Sequence, residues 1–267
     1  MSNNNPKLYQ LANILAVVAV IAMNGISEAI PLNGVTAGEV SDSLPSAFTP
    51  AGYTFAVWGL IYAALAGFAI YQALPAQRER PFLARLAWLV PISSAFNIAW
   101  LIAWHYRSFP LSLLFIVGLL ITLISIYQRL QIGRPNPGLT TADKLLYQAP
   151  FSLYLGWVSV ATIANFSSVL NSVYNWQGFG IADATWSAIM MGVATILSAL
   201  LLLNRRNLSF AGVLIWALFG IRAAYMDVPL IANAALIASI TILILALLGY
   251  WRTRELAPPV PILSTAA

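Results

Sequence analysis

Apolar residues in this chain neither alternate nor keep to one helical stripe; they run on for about twenty positions at a time. A helix that crosses a bilayer needs ~20 largely apolar residues, because in lipid only a helix or a closed barrel satisfies its own backbone. The runs predict eight spans, at 8–27, 53–74, 86–105, 109–129, 147–172, 184–204, 208–225 and 229–251. The seventh is the weakest, since its charge-free stretch from Asn207 to Ile221 ends at Arg222. Lys7 ahead of the first run resembles the start of a secretory signal. Leu8 to Ser27 is nevertheless charge-free throughout, and no small-x-small cleavage site follows, so a retained helix is expected. A transmembrane β-barrel would need alternating segments of ~10 residues, which continuous runs do not supply.

Composition agrees with this pattern. Of 267 residues, 60% are hydrophobic and 8% charged, against about 25% charged in soluble domains. So few charges cannot solvate a globule of this size, which excludes a soluble enzyme and a disordered tail protein. Eight spans put Lys7, Arg78, Arg80, Arg85, Arg129, Arg134, Lys144, Arg205, Arg206, Arg252 and Arg254 on one face, and only Arg107 and Arg222 on the other. By the positive-inside rule both termini are then cytoplasmic, and the net charge of +5 reflects that face instead of a nucleic-acid partner. The chain has no cysteine, which removes disulfides, thiolate metal sites and iron–sulfur clusters. One histidine, His105, cannot build a histidine metal cluster, and no metal site is expected.

Polar and aromatic residues inside the spans carry the candidate chemistry. Phe55, Trp58 and Tyr62 recur at i, i+3 and i+7 and so share one helical face. Ser93, Asn97, Trp100 and Trp104 do the same in the third span, and Tyr154, Trp157, Ala161 and Asn165 in the fifth. Each face joins aromatic area to a hydrogen-bonding group, and the small Ala161 leaves room beside Trp157. Together they could line a cavity for a flat, mostly apolar ligand. The plainer reading is helix packing, in which Asn and Ser bond neighbouring helices and aromatics anchor the interfaces.

The same residues carry a family resemblance. The segment Thr49-Pro-Ala-Gly-Tyr-Thr-Phe-Ala-Val-Trp-Gly-Leu-Ile-Tyr62 resembles the Pro-led Val-Trp-x-x-x-Tyr signature of the tryptophan-rich sensory protein/translocator protein (TspO/MBR) family. Phe96-Asn-Ile-Ala-Trp100 is similar to its Leu-Asn-x-x-Trp helix, and Tyr154-Leu-Gly-Trp-Val-Ser-Val-Ala-Thr-Ile-Ala-Asn165 to its Tyr-x-x-Trp-Val-x-x-Ala-x-x-x-Asn helix. The resemblance implies an all-α, polytopic membrane protein whose first five helices form the TspO/MBR bundle. On this reading 1–175 is the five-helix core and 176–267 a three-helix extension without a counterpart in that core. Further departures are Tyr53 where the family has Trp, Leu153 where it has Pro, a Phe55-to-Trp58 interval one residue short, and no acidic residue in helix four.

The family resemblance also implies binding of a tetrapyrrole such as protoporphyrin IX or haem, in sensing, transport or tetrapyrrole homeostasis. The ligand-binding set is then Phe55, Trp58, Tyr62, Asn97, Trp100, Tyr154, Trp157, Ala161 and Asn165, with Asn97 and Asn165 orienting polar edges. No cofactor is obligatory, although a porphyrin or haem could be bound. The expected partners are the bilayer and a hydrophobic small molecule, with a homodimer left open and no nucleic acid.

Two alternatives remain beside the binding protein: a secondary transporter, suggested by Asn13, Asn24 and Asn233 within spans, and a helical assembly factor. The transporter lacks buried acid–base pairs and an internal repeat. An enzyme is not expected, since the spans hold no carboxylate pair or nucleophile–base set, and the outer-loop acids Glu28, Glu39 and Asp42 fit no catalytic spacing. Tyr127/Arg129 and Tyr250/Arg252 satisfy a proposed cholesterol pattern but read as interfacial anchors, while no Lys or Arg follows Leu170 and Tyr174 closely. Arg222 reads as a snorkelling side chain paired with Asp227, and His105 as an exposed interfacial histidine, with haem ligation the sharper option.

Overall fold

The computed structural model describes residues 5–44, 46–176 and 178–255, with side chains through Gly249. Tyr250, Arg252 and Arg254, three of the residues weighed above, fall outside the described side chains. Among the described residues every regular element is helical. The helices are α1 (Pro6–Ala29), α2 (Ala37–Asp42), α3 (Val57–Ala73), α4 (Pro81–Leu86), α5 (Leu89–His105), α6 (Phe109–Arg129), α7 (Ala149–Tyr174), α8 (Asp183–Arg205), α9 (Leu208–Ala224) and α10 (Pro229–Glu255). A short turn Thr141–Asp143 and a π-helical stretch Lys144–Gln148 lead into α7.

All eight expected spans are helices. Six helical segments are long and apolar enough to cross a membrane, whereas α5 and α9 have 17 residues each. At 1.5 Å per residue those two reach about 25 Å, the lower limit for a span. The third span starts later than expected because Ala87 takes φ 45° and separates α5 from α4. The basic loop before it therefore contains a short helix that buries Phe82, Leu83 and Leu86.

The termini of α1 and α9 follow from local chemistry. Asn5 Oδ1 accepts from the Leu8 amide at 3.3 Å, and Pro6 at the first helical position gives up an amide that would have had no partner. Asn207 caps α9 by accepting from the Phe210 amide at 3.1 Å. Along α1 the buried face is Gln10, Asn13, Val17, Val20, Asn24 and Ser27, while Leu11, Leu15 and Val18 are exposed. This is a soluble helix turned inside out: apolar side chains meet lipid, and polar ones find partners within the bundle.

Helices α1, α3, α5, α6 and α7 close a five-helix bundle, with α1 on α3 and α5, α5 on α6, α6 on α7, and α7 on α3. The remaining three join it through α9, which packs on α7, α8 and α10. Gly156 allows that junction, since a Cβ there would lie 3.2 Å from both the Phe210 carbonyl oxygen and Val213 Cβ. The connection before α3 is stitched to the extension as well. The Ala51 amide donates to the Gly220 carbonyl at 3.1 Å, Trp216 Nε1 to the Thr54 carbonyl at 2.9 Å, and Tyr225 OH to the Ser46 carbonyl at 2.6 Å.

Two expectations are corrected. Arg222 donates to the Ala232 carbonyl at 2.9 Å instead of pairing with Asp227, because α10 folds back beside α9 and brings that carbonyl to it. Tyr127 is buried, accepts from Asn207 Nδ2 at 3.1 Å and lies under the Arg205 guanidinium at 5.9 Å, so it joins α6 to α9 and is not an interfacial anchor.

Gly156→Leu is expected to force α7 and α9 apart at a cost of ~1–3 kcal/mol, read as a lower unfolding temperature in detergent. Gly212→Leu, where a Cβ meets nothing within 4 Å, should leave that temperature unchanged or raise it.

Candidate functional site: a tryptophan-lined hollow

The three aromatic stripes converge. Trp58 from α3 stands at the centre, with ring centroids 5.8 Å from Trp100 of α5, 5.8 Å from Tyr154 and 6.1 Å from Trp157 of α7. Tyr62 stacks on Trp58 one turn along α3, at 5.4 Å and 11°. Phe55 meets Trp157 edge-on at 5.7 Å. The row continues through Trp104, which stacks on Trp100 at 6.1 Å and meets Phe109 at 5.6 Å. Edge-to-face pairs of this kind contribute about 0.5–1.5 kcal/mol each beyond their buried area.

Between these rings lies a hollow of about 30 Å³, lined by Phe55, Trp58, Trp100, Trp157, Ala161 and Asn165, among others. Six of the nine expected residues thus share one cavity. Tyr62, Asn97 and Tyr154 are not part of its lining; they stand behind it. Asn97 is fully buried, donates to Tyr154 OH at 2.8 Å and accepts from Asn24 Nδ2 at 2.9 Å. Its amide therefore ties α1, α5 and α7 together. Asn165 does line the hollow and exchanges hydrogen bonds with Ser112 of α6, its Nδ2 donating at 3.2 Å.

The hollow is apolar but not fully satisfied. The indole N–H groups of Trp100 and Trp157 are buried without an acceptor. Unpartnered buried donors are uncommon and ask for an explanation. A volume of 30 Å³ admits one water, whereas pockets for drug-sized ligands run to ~300–1,000 Å³. The aromatic rings fill the space between the helices themselves.

Sequence reasoning missed the roof of this site. The connection over 28–52, expected as an outer loop, contains α2, and its Ser41 together with Pro50 closes the hollow. Thr36 and Glu39 form a capping box at the start of α2, a Thr-x-x-Glu signal that was present in the sequence. The bonds from Thr36 hold the Glu39 carboxylate below its usual pKa, so this acid serves helix initiation. Trp104 Nε1 donates to the Ala37 carbonyl at 3.1 Å, and Asn33 Nδ2 to the His105 carbonyl at 3.0 Å, fastening the roof to α5. Trp104, Val160, Ala164 and Ser168 also line the cavity; the first stood on the Trp100 stripe of the third span but outside the expected ligand-binding set.

His105 is corrected too. It is fully buried, with Nδ1 2.8 Å from the Leu101 carbonyl oxygen one turn back. The roof segment covers the end of α5 and removes the histidine from the interface. It does not line the hollow.

A family model described as TSPO-like protein matches residues 10–248, from α1 well into α10. No curated protein matches the chain significantly, and no solved structure does so.

Asn97→Leu keeps the volume but removes both amide bonds, leaving Asn24 and Tyr154 without their shared partner. A loss of ~1–2 kcal/mol is expected, read as a lower midpoint of thermal unfolding in detergent.

Proposed function

The chain belongs to the TSPO-like family, multi-pass membrane proteins of sensing or transport type, and from that membership we propose that its tryptophan hollow receives a flat, largely apolar molecule. A tetrapyrrole is the ligand class we assign to it. The observation that carries this reading is the convergence of Trp58, Trp100 and Trp157 from three helices around one cavity, with two indole donors unspent. A macrocycle would stack on the indole faces, and its carboxylate or carbonyl oxygens would take the Trp100 and Trp157 N–H groups. Asn165 stands ready at the same wall.

Binding on this scale requires the hollow to open. The roof is the part that can yield: besides the two bonds to α5 described above, Arg107 Nη1 reaches Ser43 Oγ at 3.2 Å. Rotation of Phe55 and Trp58 as α2 lifts would exchange ring–ring contacts for ring–ligand contacts of similar worth. Such a site gives a binding protein, and no step of bond-making chemistry is assigned to its residues. On this proposal the first five spanning helices hold the ligand, α8, α9 and α10 brace α7 from behind through α9, and the basic end of the bundle faces the cytoplasm.

Protoporphyrin IX titrated into the detergent-solubilised chain should quench tryptophan fluorescence saturably. Trp157→Ala removes a wall and a donor and should weaken the effect about tenfold; Ala161→Leu fills the hollow and should do likewise. Linear quenching, the same in all three proteins, would mean that the hollow is not the ligand site.

A further inference from the structure

At the other end of the bundle a cleft of about 520 Å³ opens between the connection after α6, the helical run leading into α7, and the turn from α8 to α9. Arg134, Lys144, Arg205 and Arg206 line it, and none of its lining residues is acidic. The acid nearest in sequence, Asp143, is already engaged: Arg80 Nη2 lies 2.8 Å from Oδ2 and Tyr71 OH donates to Oδ1 at 2.8 Å. Four cations thus gather around one space with no counter-charge from the lining.

The cleft is built, not incidental. Gly133 at φ +76° lies against the Arg205 carbonyl so closely that any side chain there would collide with it. Arg205 Nη1 donates back to the Ile132 carbonyl at 3.3 Å, which fixes the two turns to each other. Beneath them Asn207 Nδ2 donates to Tyr127 OH at 3.1 Å and to Ser152 Oγ at 3.2 Å. Gln148, also part of the lining, is more than nine-tenths buried, and its Nε2 has no acceptor. Topological selection for positive charge on one membrane face explains exposed arginines, but it explains neither a glycine-locked cavity nor a buried donor left unused.

We propose that this cleft binds a phosphate group, carried either by an anionic lipid headgroup or by a soluble phosphorylated molecule. The donor set matches that chemistry. Guanidinium forks on Arg134 and Arg206 pair with two oxygens each, Lys144 adds a point charge, and the Gln148 amide donates from the wall. Leu145, Leu203 and Leu208 at the rim are exposed, so a headgroup could enter with its acyl chains along the lipid-facing side. The tryptophan hollow is remote from this cleft and shares no lining residue with it, so either site can fail without the other.

The test uses the full chain in two arms. Native mass spectrometry from detergent measures retention of phosphatidylglycerol against phosphatidylcholine, and pyrophosphate is titrated into the chain held in phosphatidylcholine nanodiscs while the unfolding temperature is followed. Saturable binding is expected in at least one arm: lipid retention alone identifies a headgroup site, a pyrophosphate response alone a soluble ligand. Arg206→Gln and Arg134→Gln should each weaken the response about tenfold, Gln148→Leu several-fold with all charges kept, and Arg129→Gln, outside the cleft, not at all. If Arg206→Gln does not fold, Arg134→Gln gives the same reading from an exposed position. Absence of saturation in both arms, or an Arg129→Gln loss equal to that of the cleft variants, overturns the proposal.

Discussion

In hydrocarbon no water competes for a side-chain amide, so a polar group inside a spanning helix has only the protein to bond with. The chain Asn24–Asn97–Tyr154 meets that constraint across α1, α5 and α7, and the arrangement of the bundle depends on it. Gln10, Asn13 and Gln72 do the same between α1 and α3: Gln10 Nε2 donates to the Gln72 carbonyl at 2.6 Å and Gln72 Nε2 to the Gln10 carbonyl at 3.0 Å. These bonds set which face of each helix turns inward. Once α3, α5 and α7 are so oriented, their tryptophans have one place to go.

That place is a cluster of rings around a space of about 30 Å³. Indoles pack well on each other but imperfectly, because their flat edges meet at angles such as the 82° between Trp58 and Trp157. Ala161, with a single methyl group, leaves the remainder open. The result is a site that is closed yet poorly satisfied, with two indole donors unused. A receptor for a planar molecule benefits from such a state, since ligand contacts replace contacts of comparable strength and the donors gain acceptors. The roof formed by α2 closes this site, and the hydrogen bonds that join Ala51, Thr54 and Ser46 to Gly220, Trp216 and Tyr225 link it to the extension.

The extension is therefore more than an appendage in space. Through Gly156 it packs on the back of the helix that carries Trp157, and through Gly220 it approaches Thr54 in the turn just before the helix that carries Trp58. At the basic end the turn between α8 and α9 supplies Arg205, Arg206 and Asn207, which with Arg134 and Lys144 from the core complete the cationic cleft. Neither part of the chain holds that cleft alone.

The existence of eight apolar helices and the aromatic stripes at i, i+3 and i+7 could be read from the chain, because helix length and helix periodicity are local properties. The capping box at Thr36 and Glu39 is equally local, although it starts a helix of only six residues within a polar connection. What tertiary structure decided is which partners those faces meet. Asn97 and Asn165 look alike as inward polar residues, yet one is enclosed by Asn24 and Tyr154 while the other borders the hollow. His105 and Tyr127 sit at helix ends, where exposure is the default, and both are buried because segments distant in sequence fold over them. The sequence by itself determined a membrane bundle with tryptophan and asparagine on its inner faces. Only the packed bundle decided that the rings would close on a space this small and that cations from two connections would share one cleft, because both depend on contacts between residues far apart along the chain.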